Sequence, residues 1–325
     1  MQEVVSSKKI LDRAIRLLRA GSYERSLRLA SRHLGNSATG QHFRCLVATN
    51  MRYQGEHDAA RAVSESLIED SNTKPLNRYR AYYCLAQVAK HWAEYQKALT
   101  CLDQARDAVN GEKYEATYFY ESGGVYILQG RFAEARQAIR TAIRLNEDED
   151  GAASLRSRRK YQCALAFACG LQGEPDRGLK VLSQVEFPSN ERLSTAIKES
   201  YTGSLLGLKG DPWTALRHHE EAVAIIDDLR AMNTGAMAYN LLADANLDCG
   251  KITEARRCVQ VGYRLALRTG DVFETARSKL VLSSLCEKDN ETDRGRAYRK
   301  EAALVLHRIG SEWVFDRHIA KIEAQ

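Results

Sequence analysis

Apolar residues recur along most of this chain at i, i+3, i+4 and i+7, the spacing that gathers one face of an α-helix. Leu102, Ala105 and Val109 illustrate the stripe. The amphipathic stretches come in pairs, and one phrase joins the members of each pair. A first helix ends in small residues, a glycine follows, then an often aromatic or proline position, then an alanine, then a second helix. The phrase reads RAGSYERSLRLA, YQGEHDAARAV, HWAEYQKALTCLDQA, LQGRFAEARQAIRTA, LQGEPDRGLKVL, LKGDPWTALRHHEEA and DCGKITEARRCV. Its marker residues are Gly21, Gly55, Ala93, Gly130, Gly173, Gly210 and Gly250, at intervals of 34, 38, 37, 43, 37 and 40 residues. A weaker eighth pair is expected over 273–308, with helices near 273–287 and 291–308, and the segment SEWVFDRHIAKIEA reads as a capping helix. The organisation this predicts is one repeat array over residues 1–310 and a cap over 311–325.

A single amphipathic pair cannot bury its own apolar face. Stacking the pairs buries a continuous core, each repeat touching mainly its neighbours. Ala86, Gly123, Ala166, Gly203 and Ala243 fall where the first helix of a pair, helix A, meets the second, helix B. Ala60, Ala98, Ala135, Ala215 and Ala255 are their partners on helix B. Small side chains at these places let two backbones approach closely.

These positions resemble the tetratricopeptide repeat. Its pattern wants a large residue, then Leu and a small residue three and four positions on. An aromatic or apolar residue, the turn glycine, an aromatic two later and an alanine three after that complete it. In the fourth unit these are Phe119, Ser122, Gly123, Tyr126, Gly130, Phe132 and Ala135, continued by Ile139 and Ala142. In the third they are Tyr82, Leu85, Ala86, Ala89, Ala93, Tyr95 and Ala98, and in the seventh Tyr239, Leu242, Ala243, Asn246, Gly250, Ile252 and Ala255. The resemblance covers about residues 8–308, with departures. Only the first interval is the standard 34. Pro175 and Pro212 stand at the aromatic position, where proline can open a helix because no backbone donor is needed in its first turn. Asn246 stands where an apolar residue belongs. Long repeats of this kind resemble the arrays of bacterial signalling and transcriptional regulators. The resemblance implies an all-α, right-handed superhelical solenoid of about eight repeats, with helix A lining the concave side and helix B the convex side.

Composition agrees with an all-helical chain. There are four prolines in 325 residues, and 44% of residues are hydrophobic against 28% charged. The net charge is +6, from 48 Lys and Arg against 42 Asp and Glu, mixed along the chain. That balance weighs against nucleic acid as a partner, and so does the lack of a long basic tract. The densest run, Arg156, Arg158, Arg159 and Lys160, reads as a solvated helix start. Eight cysteines contain no CxxC pair and lie among Ala and Leu, as small buried hydrophobes do. With no apolar signal region and no run of about 18 apolar residues, a reducing cytoplasm is expected.

The motifs of catalysis are missing. Gly250-Lys251 is not preceded by the glycine of a phosphate-cradling loop, no GxGxxG or HExxH occurs, and no cofactor is implied. In His218-His219-Glu220-Glu221 the two imidazoles point about 100° apart on a helix, so His218 with Glu221 offers at most two metal ligands, short of four. Cys163 and Cys169 read as packing residues, and Trp92, Trp213 and Trp313 as side chains packed between repeats. By the resemblance, the helix A positions beside the packing residues face a ligand. Here they are Arg52, Tyr53, Arg80, Tyr83, Gln87, Lys90, His91, Tyr120, Lys160, Phe167, Asn240 and Asp244. Aromatic and arginine side chains anchor interfaces, and amides can clamp a peptide backbone. The Lys and Asn clamp by which some members grip a C-terminal carboxylate is absent, since Leu11, Ile15, Cys45 and Thr49 stand at comparable places. The expected function is a non-enzymatic interaction module that holds a partner protein or peptide in its concave groove. The alternative is a peptide- or ligand-sensing segment of a regulator, whose effector would be another chain or a part beyond these residues.

Overall fold

The computed structural model describes residues 2–109, 114–147 and 151–323, so positions 1, 110–113, 148–150 and 324–325 of the expected array and cap lie outside the described residues. Among the described residues there are seventeen helices and no strand. They pair as α1 (Gln2–Arg19) with α2 (Tyr23–Ala30), α3 (Ala38–Tyr53) with α4 (His57–Glu69), α5 (Pro75–His91) with α6 (Tyr95–Asp107), and α7 (Glu115–Leu128) with α8 (Phe132–Leu145). Next come α9 (Ala152–Leu171) with α10 (Pro175–Ser183), α11 (Arg192–Leu208) with α12 (Pro212–Leu229), α13 (Met232–Asp248) with α14 (Ile252–Thr269), and α15 (Val272–Lys288) with α16 (Thr292–Arg308). The last helix, α17 (Glu312–Glu323), follows alone. The chain is an all-α helical repeat solenoid.

Each marker residue ends its helix A in the left-handed conformation, from φ 57° at Ala93 to φ 101° at Gly173. The eighth unit uses Asn290 at φ 62°, which explains why no glycine announced it; asparagine tolerates this region better than most side chains. The long intervals of the last units come from long helices: α11 to α16 each have 17 or 18 residues. Pro175 and Pro212 stand in the first turn of α10 and α12, as expected.

The small residues mark the A–B contact. Ala60, Ala98, Ala135 and Ala255 are fully buried, and Ala215 nearly so. A Cβ added to Gly123 would stand 2.6 Å from Ile139, and one on Gly203 would stand 2.7 Å from His219. Asn246 is buried, and its amide donates to the Leu242 carbonyl at 2.8 Å, one turn back along its own helix, so a polar side chain fits the apolar position. Seven of the eight free cysteines are buried.

Two expectations are corrected. Trp213 is 59% exposed rather than packed between repeats, with the Lys251 ammonium 5.5 Å from its ring. The basic run at the start of α9 is only partly a solvated face. Arg156 pairs with Glu191 at 2.7 Å, and Arg158 donates to the carbonyls of Asn146 and Glu147.

The array also does more than stack neighbour on neighbour: it winds until its later repeats lie against its earlier ones. Helix α13 touches α3 directly. Tyr23 of the first repeat belongs to the same apolar cluster as Leu229, Ala231 and Leu242 of the sixth and seventh. A Cβ on Gly55 would stand 2.7 Å from Thr269, so this turn residue must be bare for the ends to close. The Ser311 hydroxyl and the Trp313 indole, at the start of the last helix, both donate to the Leu128 carbonyl at 2.8 Å. Helices of type A pack on one another (α1 on α3, α3 on α5, α7 on α9, α9 on α11), which puts them on the tight inner side of the turn.

Candidate binding channel

Side chains on the inner faces of the A helices surround a channel. Arg52, Tyr53, Tyr83, Tyr120 and Tyr201 are enclosed by protein, yet each keeps partial access to solvent, as groups on the wall of a narrow bore do. They reach this wall because inner-face positions of α3, α5, α7 and α11 lie beside the small packing residues and point away from the helix B partners.

Aromatic rings bridge successive repeats along the wall. Tyr23 stacks on Tyr53 with ring centroids 4.8 Å apart. Tyr120 meets Tyr161 at 4.6 Å, and Phe167 stacks on Tyr201 at 4.2 Å with the rings 6° from parallel. Between the ring pairs is a polar knot centred on Glu121. Its carboxylate accepts from the Tyr83 hydroxyl at 2.6 Å and from Lys90 at 2.7 Å, and it is hydrogen-bonded to Gln87. Burial acts to raise the Glu121 pKa, but the Lys90 ammonium and these hydrogen bonds outweigh it and hold the carboxyl at about 2. Burial, together with the Glu121 charge, pushes the Tyr83 phenol well above its ordinary value.

Toward the last repeats the wall becomes ionic. Arg277 pairs with Glu274 at 3.0 Å and reaches Asp244 at 3.8 Å. His218 Nδ1 lies 2.6 Å from Glu199. This partner on α11 replaces the Glu221 considered from spacing. No group of three or more metal-ligating side chains comes together among the described residues.

The candidate residues divide accordingly. Arg52, Tyr53, Tyr83, Gln87, Lys90, Tyr120 and Phe167 lie together on the channel wall, and Lys160 is exposed near Tyr53. Asp244 lies in the ionic part with Arg277. Arg80 is half-buried and donates to Asn77 at 2.8 Å. His91 belongs to the seam where later repeats lie against earlier ones, 3.3 Å from Asp271. Asn240 is fully buried: its amide donates to the carbonyl and carboxylate of Glu274 and accepts from Ser278, which leaves it nothing to offer a ligand. Sequence reasoning missed Glu121, Tyr161, Glu199 and Tyr201. Glu121 and Tyr201 follow the same rule as the residues it found, next to Ser122 and two before Gly203.

A further cleft of about 630 Å³ lies on α8, lined by Arg136, Arg140, Arg144 and Gln172. Arg136 is already held by Glu174 at 2.7 Å. Among the described residues no helix is long and apolar enough to cross a membrane.

No family model and no curated protein matches this sequence. Solved structures do. The chain is similar to the NprR protein crystallised with its cognate peptide NprX, at a TM-score of 0.63 and 16% identity over 98% of both chains. It is also similar to a Rap protein complexed with competence and sporulation factor, at a TM-score of 0.58 and 15% identity over 98% of both. A third likeness is to the APC/C hetero-tetramer Cut9–Hcn1, at a TM-score of 0.62 and 14% identity over 95% of this chain and 55% of that one. With 17 helices, a repeated left-handed turn and these likenesses, the chain has the fold of a tetratricopeptide-type repeat array.

Proposed function

We propose that this chain is a binding module which holds a linear protein segment in its central channel. The observation that carries the reading is the channel wall itself. Aromatic pairs at Tyr23–Tyr53, Tyr120–Tyr161 and Phe167–Tyr201 flank the Gln87–Lys90–Glu121 knot; Tyr53, Tyr120, Phe167 and Tyr201 keep partial access to solvent, while Tyr23 and Tyr161 back them from within. Rings of this kind bind apolar side chains, and fixed donors and acceptors between them suit a peptide backbone. The complexes of a Rap protein with competence and sporulation factor and of NprR with NprX support it by likeness of fold. The eight free cysteines support a reducing compartment such as the cytoplasm.

Selection of random linear peptides on phage against the immobilised full chain tests the reading. Wild-type protein is expected to enrich short sequences, and Tyr120→Ala to weaken their binding tenfold or more. An R140E variant, on the α8 cleft, is expected to bind unchanged. Enrichment that is equal for Y120A and wild type would place the binding surface elsewhere.

A second reading, a sensor whose winding answers to a ligand, is supported by the closure of the array. The contacts of Gly55 with Thr269 and of Trp313 with Leu128 join repeats that a change of pitch would pull apart.

A further inference from the structure

At the C-terminal end of α3 the channel carries positive charge with no ion-pair partner among the described residues. The Arg52 guanidinium lies 4.3 Å from the centre of the Tyr53 ring and is hydrogen-bonded to its phenol. Tyr23 backs that ring from the other side. The side chains that act on Arg52 most strongly are the phenols of Tyr53 and Tyr83 and the thiol of Cys84. Lys160, on α9, is exposed, has no hydrogen-bond or ion-pair partner among the described residues, and acts on the same phenol. The carboxylate in reach of Tyr53 is Glu121, which Lys90 already neutralises at 2.7 Å. Two cations from the second and fifth repeats thus converge on one hydroxyl. In keeping with this, Arg52 and Lys160 outweigh burial and hold the Tyr53 phenol below its ordinary range.

We infer that Arg52, Tyr53 and Lys160 form an anion subsite of the channel and take a carboxylate of the bound segment. The inference rests on the channel being a peptide site. A guanidinium with five N–H donors has some to spare after one bond to the Tyr53 phenol, and a parallel pair of them matches a carboxylate. The Tyr53 O–H adds a third donor, and Lys160 adds charge without fixed geometry. The carboxylate belongs either to an Asp or Glu side chain or to a free C-terminus. The position differs from the Lys and Asn clamp of the first two A helices, where this chain has Leu11, Ile15, Cys45 and Thr49.

The test uses the full chain and synthetic random heptapeptides in four sets: free acid or amidated at the C-terminus, each with and without Asp and Glu. Peptides retained with the protein through gel filtration are identified by mass spectrometry, and the best is titrated. Wild type is expected to retain peptides that carry a carboxylate and to discard the amidated set lacking Asp and Glu. Enrichment by free C-terminus or by acidic residue tells which carboxylate is taken. R52Q is expected to lose roughly ten- to a hundredfold in affinity together with the preference, the usual weight of a hydrogen bond to a charged group. K160Q, at an exposed site that folding does not depend on, is expected to lose several-fold and carries the test should R52Q fail to fold. Retention of the acid-free amidated set on a par with the others, or full affinity in both variants, overturns the subsite and leaves the channel reading intact. Retention of no peptide from any set by wild type overturns both.

Discussion

The Nδ1 of His57 lies 3.0 Å from the carbonyl oxygen of Thr269, a residue 212 positions further along the chain. The neutral ring donates this hydrogen bond and ties the turn of the second repeat to the end of α14. His91 stacks on it with centroids 4.0 Å apart. Burial, and then the neighbouring imidazole, push the His57 pKa down to about 3. A base whose folded pKa lies below its unfolded value adds stability that is complete above the unfolded value of about 6.5 and is lost as pH falls from there toward the folded one. At pH 5 that loss is about 2 kcal/mol for this ring alone. Asp271 beside His91, raised to about 7 by burial, works in the opposite sense, so the readout must be a comparison between variants. His57→Asn, whose amide can still donate to Thr269, is expected to show a smaller fall in melting temperature between pH 7.5 and 5 than wild type does. Parallel curves for the two proteins would mean that this ring does not take up a proton on unfolding.

Gly123 and Gly124 are neighbours in α7 with opposite roles. A Cβ on Gly123 would stand 2.6 Å from Ile139 and 3.3 Å from the Ala135 carbonyl, whereas one on Gly124 would meet only the Lys90 ammonium at 3.9 Å. Gly123→Ala is expected to cost about 1–2 kcal/mol through overpacking of the A–B contact. Gly124→Ala is expected to stabilise by about 0.5–1 kcal/mol, because alanine loses less backbone freedom in a helix. Urea midpoints of the two variants, moving in opposite directions, are the check. Ala135→Leu, at the facing position, is expected to behave as Gly123→Ala does, at about 1–3 kcal/mol.

The helix pairs and their register were legible because the repeat states them again and again. The Gly–x–aromatic–x–x–Ala phrase gives both the left-handed turn and the small residue at the contact. The turn at Asn290 was not legible as a marker, because its φ of 62° is served by asparagine instead of glycine. About half of the channel wall could be read from single positions next to packing residues. Its chemistry could not, because Glu121, Lys90 and Tyr83 come together only when α5 and α7 are placed side by side. Asn240 was read as groove-facing since its neighbours are; the carbonyl and carboxylate it satisfies belong to Glu274, 34 residues away. The closure of the array was hidden entirely. A periodic pattern reports the step from one repeat to the next, and a small change in that step decides whether later repeats come to lie against earlier ones.

The Lys90–Glu121 pair is a largely buried ion pair, with side chains 24% and 9% exposed. A buried ion pair adds little over an apolar pair of the same shape, but removing one partner strands the other. Lys90→Met is therefore expected to cost about 3 kcal/mol near neutral pH. The Glu121 pKa of about 2 lies below the usual carboxylate value, so its contribution is present above about pH 4.5 and fades as pH falls toward the folded value. In Lys90→Met that advantage is gone, and the deficit against wild type is expected to narrow in acid. Lys90→Met combined with Glu121→Gln, whose amide oxygen still accepts from Tyr83, is expected to regain more than half of the loss. Chemical denaturation at pH 7 and pH 4 measures both effects; a double variant no better than Lys90→Met would refute the pairing.

Trp313 fastens α17 to the middle of the array. Its indole donates to the Leu128 carbonyl at 2.8 Å, one of the carbonyls that the end of α7 leaves without an intrahelical donor. Its ring meets Phe132 edge-on, with centroids 5.2 Å apart. Further along the same helix Arg317 donates to the Leu171 carbonyl at 3.1 Å and Lys321 pairs with Asp248 at 2.6 Å, so α17 bridges the ends of α7, α9 and α13. Ser311 also donates to Leu128, and replacing the indole by a plain ring should not leave that carbonyl unsatisfied. Trp313→Phe is expected to cost about 1 kcal/mol, the net worth of one hydrogen bond. Trp313→Ala, at a half-buried site, is expected to cost about 2 kcal/mol, less than truncation of a fully buried tryptophan. The loss should be local. Amide exchange is expected to quicken across Glu312–Glu323 and at the end of α7 in Trp313→Ala, while α11 and α12 keep wild-type protection. Exchange that quickens evenly along the chain would show instead that the anchor of α17 and the closure of the whole array open together.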